Sequence, residues 1–294
     1  MLVKAVMSNR SAIALYVLPA LILILIIIYI PLVLTGYYGM MDWKGFAPMK
    51  FIGLGNYNKL IHDSMFWKST YHSVLLGICS TLSLLIYLAV SMVLASRIKG
   101  ANLFRKIYLI PMLLSSVAIA QLWSKIYDPS NGIINHLLIS MGVQNPPLWL
   151  SDPNIVLFAI FVPIVWQYAG FYIIIYYAAL KNVPEEVMEA ATIDGATPWQ
   201  VATRIKLPLI APVFKVTIIL ALVGSLKYFD LIFVMTGGGP NHASEVMASY
   251  MYGEAFSKYN FGYGSAIGFA LLLICLLMTW LIRKLTTSGE DVQY

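Results

Sequence analysis

Long apolar stretches alternate with short polar links along the chain, at 12–38, 69–96, 107–127, 154–180, 208–235 and 262–282. Crossing roughly 30 Å of hydrocarbon takes about 20 helical residues, so the pattern predicts an all-α integral membrane protein of about six transmembrane helices. A helix pairs its own backbone groups, as a segment surrounded by lipid must. The first run follows Lys4 and Arg10. It is too long for the apolar core of a secretion signal and has no small-residue cleavage site behind it, so it is read as a retained span. Pro31, Pro111, Pro163 and Pro212 interrupt the runs, each as a simple kink or as a flexing point in a gated pathway. In the last run Gly264 and Gly268 stand at the small-xxx-small spacing that lets helix backbones approach closely.

Two polar links have helical patterns of their own. The segment 133–141 predicts a short helix on the outer face, either a connector or a docking surface. In 181–207, Asn182 is a candidate cap, Pro184 suits an early helical position, and Glu185 and Glu186 complement the positive end of the helix dipole. Ala190 and Ala191 favour helix with little bulk, and Gly195 is a natural stop. Thr197–Pro198 repeats the start signal for a second short helix through Trp199 and Arg204, ending where Pro208 opens the next run. Such a knob is either an elbow that returns the chain to the membrane or a surface for a partner.

Of the 294 residues, 60% are hydrophobic and 11% charged, against about a quarter charged in an ordinary soluble domain. The net charge of +6 is explained by topology and needs no nucleic-acid partner. Lys4, Arg10, Arg97, Lys99, Arg105, Lys106, Lys181, Arg204, Lys206, Arg283 and Lys284 all fall on one side of the predicted spans, with fewer cations opposite. The positive-inside rule then places both termini in the cytoplasm. Cys79 and Cys275 lie in apolar runs, and the four histidines have no metal-ligand spacing, so no metal site is expected. No G-x-x-x-x-G-K-[ST] loop is present to bind nucleotide phosphates. No nucleophile–base pair or paired carboxylates stand out, which ranks a membrane enzyme last.

Charges inside a span are functional candidates. Lys227 and Asp230, at i and i+3, are expected on one helix face, close enough to pair. They are either a structural ion bridge or, with Tyr228, part of a translocation path. Gln121, Trp166, Gln167 and Tyr168 join them as path candidates, because rings stack on sugar faces while amides take hydroxyls. Tryptophan and tyrosine also gather at bilayer interfaces whatever a protein does. Gly237, Gly238, Gly239 and Pro240 form an outer turn that is either a gate or contact, or a plain tight turn.

The segment "EAATIDGATPWQVATRIKLPLIAP" at 189–212 resembles the E-A-A signature of inner-membrane permease subunits of binding-protein-dependent ABC importers. "MTGGGPNHASEVMASYMYGEAFSKYNFGYGSAIGFALLL" at 235–273 is similar to the carbohydrate branch, most like the first permease of the glycerol-3-phosphate and multiple-sugar type of pair. The resemblance implies a type I importer permease fold, one transmembrane domain over 1–294, in a bacterial or archaeal cytoplasmic membrane, with a coupling loop at 181–207. Matched position by position, Glu189, Ala190, Ala191, Asp194 and Gly195 would be the core of a coupling helix seated on a cytoplasmic ATPase. Leu207, Pro208 and Pro212 match its exit, and Ala202 departs from the phenylalanine often found there. The implied partners are a homologous second permease, an ATPase dimer that binds ATP and magnesium, an extracytoplasmic binding protein and a carbohydrate solute. The chain itself would bind no cofactor and act as a non-enzymatic permease. The rival reading is an ion-coupled secondary transporter using Lys227 and Asp230, although no internal repeat of hydropathy supports it.

Overall fold

The computed structural model describes residues 10–46, 48–96 and 99–286. Helices dominate: α1 (Arg10–Ile24), α2 (Ile30–Tyr38), α3 (Gly55–Ile61), α4 (Ser64–Ala95), α5 (Ala101–Leu113), α6 (Ser116–Ile126), α7 (Ile133–Ser140), α8 (Val156–Lys181), α9 (Glu185–Ile193), α10 (Ala211–Leu226), α11 (Asp230–Thr236), α12 (Met247–Tyr252) and α13 (Phe261–Thr286). Strands β1 (Met41–Asp42) and β2 (Lys50–Phe51) form an antiparallel pair with Met41 opposite Phe51.

Among the described residues five helical segments are long and apolar enough to cross a membrane: Ile13–Tyr38, Ser64–Ala95, Val156–Lys181, Ala211–Thr236 and Phe261–Leu285. The remaining run, expected as one helix over 107–127, is instead α5 and α6, bent by 98° at their junction. Leu114 and Ser115 are both extended there, and two extended residues in succession redirect a helix. Counted as one bent span, the pair brings the total to six. Pro212 falls in the first turn of α10, where its missing N–H leaves no gap in the helix. Pro163 lies inside the unbroken α8.

The chain divides into two compact units, one of residues up to Asp63 with Met251–Leu273 and the other of Ser64–Tyr250 with the residues from Ile274. In the first, the most apolar window of Ile13–Tyr38 has no buried residue. Asn56 Nδ2 donates to the carbonyls of Gly39 at 3.0 Å and Met41 at 2.8 Å, and the Tyr57 hydroxyl donates to Gly36 O at 2.8 Å, so α3 clasps the end of α2. The small-xxx-small pair serves packing inside the chain. A Cβ on Gly264 would lie 2.7 Å from Ala255 Cβ, and one on Gly268 would lie 3.0 Å from Met251 Sδ.

In the second unit α8 packs between α4 and α5, and α10 packs on α4. Leu84, Tyr87, Ile173, Tyr176 and Ile210 fill one apolar core; Leu76, Ile119, Ile160, Ile232 and Val246 fill the other. Hydroxyls bind backbone across the helices. Ser91 Oγ donates to Ile173 O at 3.0 Å, Tyr87 to Val165 O at 2.8 Å and Tyr127 to Ala159 O at 2.9 Å. Where water is absent, such bonds and close packing hold helices together. Gly170 gives the closest approach within this unit: a Cβ there would sit 2.0 Å from the Tyr108 carbonyl oxygen. The short helix expected at 133–141 appears as α7, tied down by Trp149 Nε1 donating to Asn135 Oδ1 at 2.8 Å. Just before it, the backbone N–H groups of Asn131 and Ser130 hold the Asp128 carboxyl below the usual carboxylate range.

Candidate functional site

Three polar features stand out against this apolar frame. The first is the knob. Its helix α9 starts with Glu185 and Glu186 in the first turn, favourable charges for that end. The expected caps differ from those observed. Asn182 ends α8, and Pro184 is itself the N-cap residue of α9, extended at φ −58° and ψ 137°. Gly195 turns the chain at φ +75°, which glycine adopts without strain. The second helix opens on a complete capping box: Gln200 N–H donates to Thr197 Oγ1 at 3.3 Å and Thr197 N–H to Gln200 Oε1 at 2.8 Å. Helical turns then continue through Leu209.

Glu189, Ala190, Asp194 and Gly195 are exposed, whereas Ala191 is buried, so the two alanines do not share one outward face. The outward apolar bulk comes from Ile193, 85% exposed, and Trp199, 76% exposed. Ala202 is half-buried.

The second feature is a cavity of about 450 Å³ at the junction of α10 and α11, lined by Ser116, Tyr168, Phe171, Tyr172, Leu220, Gly224, Lys227, Tyr228, Phe229, Asp230 and Leu231. The expected continuous helix face carrying Lys227 and Asp230 is absent. Helix α10 ends at Leu226 with Lys227 as its C-cap residue, and α11 begins at Asp230. No ion pair joins the two among the described residues. The break leaves a cation, a carboxylate and several rings on one wall, and a span interrupted in this way is tolerated where it lines a cavity.

Tyr168, Lys227, Tyr228 and Asp230 are therefore brought together, and Gln121, Trp166 and Gln167 do not line this cavity. Trp166 meets Trp123 edge to face at 5.9 Å. Gln167 stands behind the wall, its Nε2 donating to Ser116 Oγ at 3.2 Å. Sequence reasoning missed Tyr172 and Ser116. The i, i+4 spacing from Tyr168 would have found Tyr172; nothing local marked Ser116.

The third feature is the glycine turn. Gly237 and Gly238 have φ of +59° and +88°, and the Gly239–Pro240 peptide is cis. Ser244 Oγ donates to Gly239 O at 2.6 Å. Glu245, only 6% exposed, accepts from Ser249 Oγ at 2.5 Å and pairs with His242 Nδ1 at 2.9 Å. A Cβ on Gly238 would lie 2.4 Å from Glu245 Oε2. Lys68 Nζ donates to Asn241 O at 3.3 Å and Ser73 Oγ accepts from Met247 N–H at 3.0 Å, fastening the turn to α4. Glu245 was not singled out from the sequence, because its partners are assembled only by the turn.

A bundle of apolar helices with a polar-walled break in one span and a charged knob between two others is the build of a membrane transport subunit. The model of the family "Binding-protein-dependent transport system inner membrane component" matches residues 86–287, and the chain belongs to that family. A probable ABC transporter permease protein of Pyrococcus horikoshii is 39% identical, over 95% of this chain and 97% of that one. The trehalose/maltose transport system permease protein MalF of Thermococcus litoralis is 34% identical over 94% of each. A crystal structure of a bacterial alginate ABC transporter, in complex with alginate pentasaccharide-bound periplasmic protein, contains a chain of the same fold. The TM-score is 0.83 at 23% identity, covering 98% of this chain and 99% of that one. The protein is thus a permease subunit of an ABC importer, an inner-membrane component.

Proposed function

We propose that the chain forms half of the transmembrane path for a carbohydrate, with both termini in the cytoplasm and a homologous second permease as the other half. The observation that carries this reading is the exposed knob. In a chain that otherwise presents grease, Glu189, Ala190, Asp194 and Gly195 stand at the surface beside Ile193 and Trp199. A surface of small residues with two carboxylates and two large apolar side chains suits a groove on a protein partner with a basic rim. That partner is a cytoplasmic ATPase dimer, which binds the ATP and magnesium; this chain binds no cofactor. Carbohydrate as cargo is supported by the relative named for trehalose and maltose and by a cavity whose tyrosines stand beside Lys227 and Asp230. An extracytoplasmic binding protein delivers the solute, closure of the ATPase dimer moves α9, and the path changes the side to which it opens. No covalent bond of the cargo changes.

The test is ATP hydrolysis and uptake by the transporter in proteoliposomes, with the solute-loaded binding protein outside, for wild type and Glu189→Lys. Loss of stimulation with assembly intact supports the coupling role. Undiminished stimulation overturns it, and uptake driven by an ion gradient without nucleotide favours the secondary transporter instead.

A further inference from the structure

Two cations converge on one ring at the end of α8. The Arg105 guanidinium carbon lies 4.1 Å from the centre of the Tyr177 ring and the Lys181 ammonium 5.9 Å from it. Arg105 also donates to the Asn102 side chain, yet its Nε is shut off from solvent without a hydrogen-bond partner. Among the described residues no ion pair joins either cation to a carboxylate. The ring attracts each cation, but the two cations repel each other and a buried unpaired N–H is unfavourable, and an anion would relieve both. The surroundings indicate what kind of anion. Phe104 and Tyr108, on the same helix as Arg105, are exposed. They close an apolar groove of about 390 Å³ against Ala89, Val93 and Leu94 of α4. A cation beside an open apolar groove, in a protein that lies in a bilayer, matches a lipid with its charge at the headgroup and its bulk in the chains.

We infer that Arg105, Tyr177 and Lys181 hold the phosphate of an anionic phospholipid whose acyl chain lies along the groove of Phe104 and Tyr108. The inference rests on the membrane placement of the chain and is independent of the coupling assignment. Native mass spectrometry of the assembled transporter, delipidated and offered matched phosphatidylglycerol and phosphatidylcholine, tests it. Wild type is expected to retain phosphatidylglycerol preferentially. The Arg105→Gln/Lys181→Gln pair lowers that retention by about 25-fold, about fivefold for each cation removed, and leaves phosphatidylcholine unchanged. Should the pair fail to assemble, Lys181→Gln alone, at an exposed position, carries the roughly fivefold loss, while Arg105→Lys keeps most of the preference. Inorganic phosphate in excess leaves the lipid bound. Equal retention of the two lipids by wild type, retention unchanged in the variants, or displacement by inorganic phosphate overturns the proposal. So does crosslinking that finds Arg105 and Lys181 covered by a carboxylate of another subunit.

Discussion

The glycine turn before α12 and the knob around α9 are both polar islands in a greasy chain, and they treat their charges in opposite ways. The turn draws Glu245 inward, where Ser249 and His242 meet its two oxygens, and binds its own backbone through Ser244. The knob turns Glu189 outward, without an ion pair among the described residues, and leaves Ile193 and Trp199 to solvent. Buried polar groups with every partner present specify one conformation, because any alternative strands a charge where water cannot reach it. Exposed charge with exposed apolar bulk contributes little to the chain's own stability and is the composition of a surface awaiting a partner.

The sharpest way to break this contrast is Glu189→Lys, expected to lower binding-protein-stimulated ATP hydrolysis by about 30-fold or more, the scale of a lost interfacial charge contact. The same variant should melt at the wild-type temperature, and a clear fall in melting temperature would make the knob structural. Next in size, Glu245→Ala removes the acceptor shared by Ser249 and His242 and should cost about 3 kcal/mol. Thermal unfolding of the detergent-solubilised transporter reads that loss, and an unchanged midpoint would show that the buried carboxylate does not hold the turn.

Two of the positive-φ glycines, one in each region, sharpen the comparison. Gly238→Ala meets both the φ of +88° and the Glu245 carboxylate, whereas Gly195→Ala at φ +75° meets open space. The first should destabilise by about 2–3 kcal/mol and the second by about 1 kcal/mol; equal melting shifts would mean that Glu245 moves aside freely. The smallest effect on stability belongs to Trp199→Ala, within about 0.5 kcal/mol at so exposed a site. Its consequence should appear instead as weaker co-purification of the ATPase, and full recovery of that subunit would remove Trp199 from the docking surface.

The helices of this protein were legible because lipid imposes a one-dimensional rule, about 20 apolar residues per crossing, and five of six runs obey it. The run at 107–127 did not, since two extended residues weigh nothing on a hydropathy scale yet bend the chain by 98°. The Gly195 stop and the second start at Thr197 followed from local backbone preferences, which the surroundings scarcely alter at an exposed site, whereas the first cap did not, since Asn182 ends α8 and Pro184 takes the N-cap position. The pathway candidates fared unevenly. Tyr168, Tyr228, Lys227 and Asp230 share a cavity, but Gln167 supports its wall from behind and Trp166 rests on Trp123.

The sequence by itself determined five of the spans, the Gly195 stop with the capped second helix of the knob, and the family signature, all consequences of interactions within a few residues or between a segment and its solvent. Only the tertiary structure decided that α10 breaks before Asp230, that Ala191 faces inward while Ala190 faces out, and that Glu245 is enclosed. Each of these depends on which distant side chain or carbonyl fills the space beside it, and no local pattern encodes that neighbour.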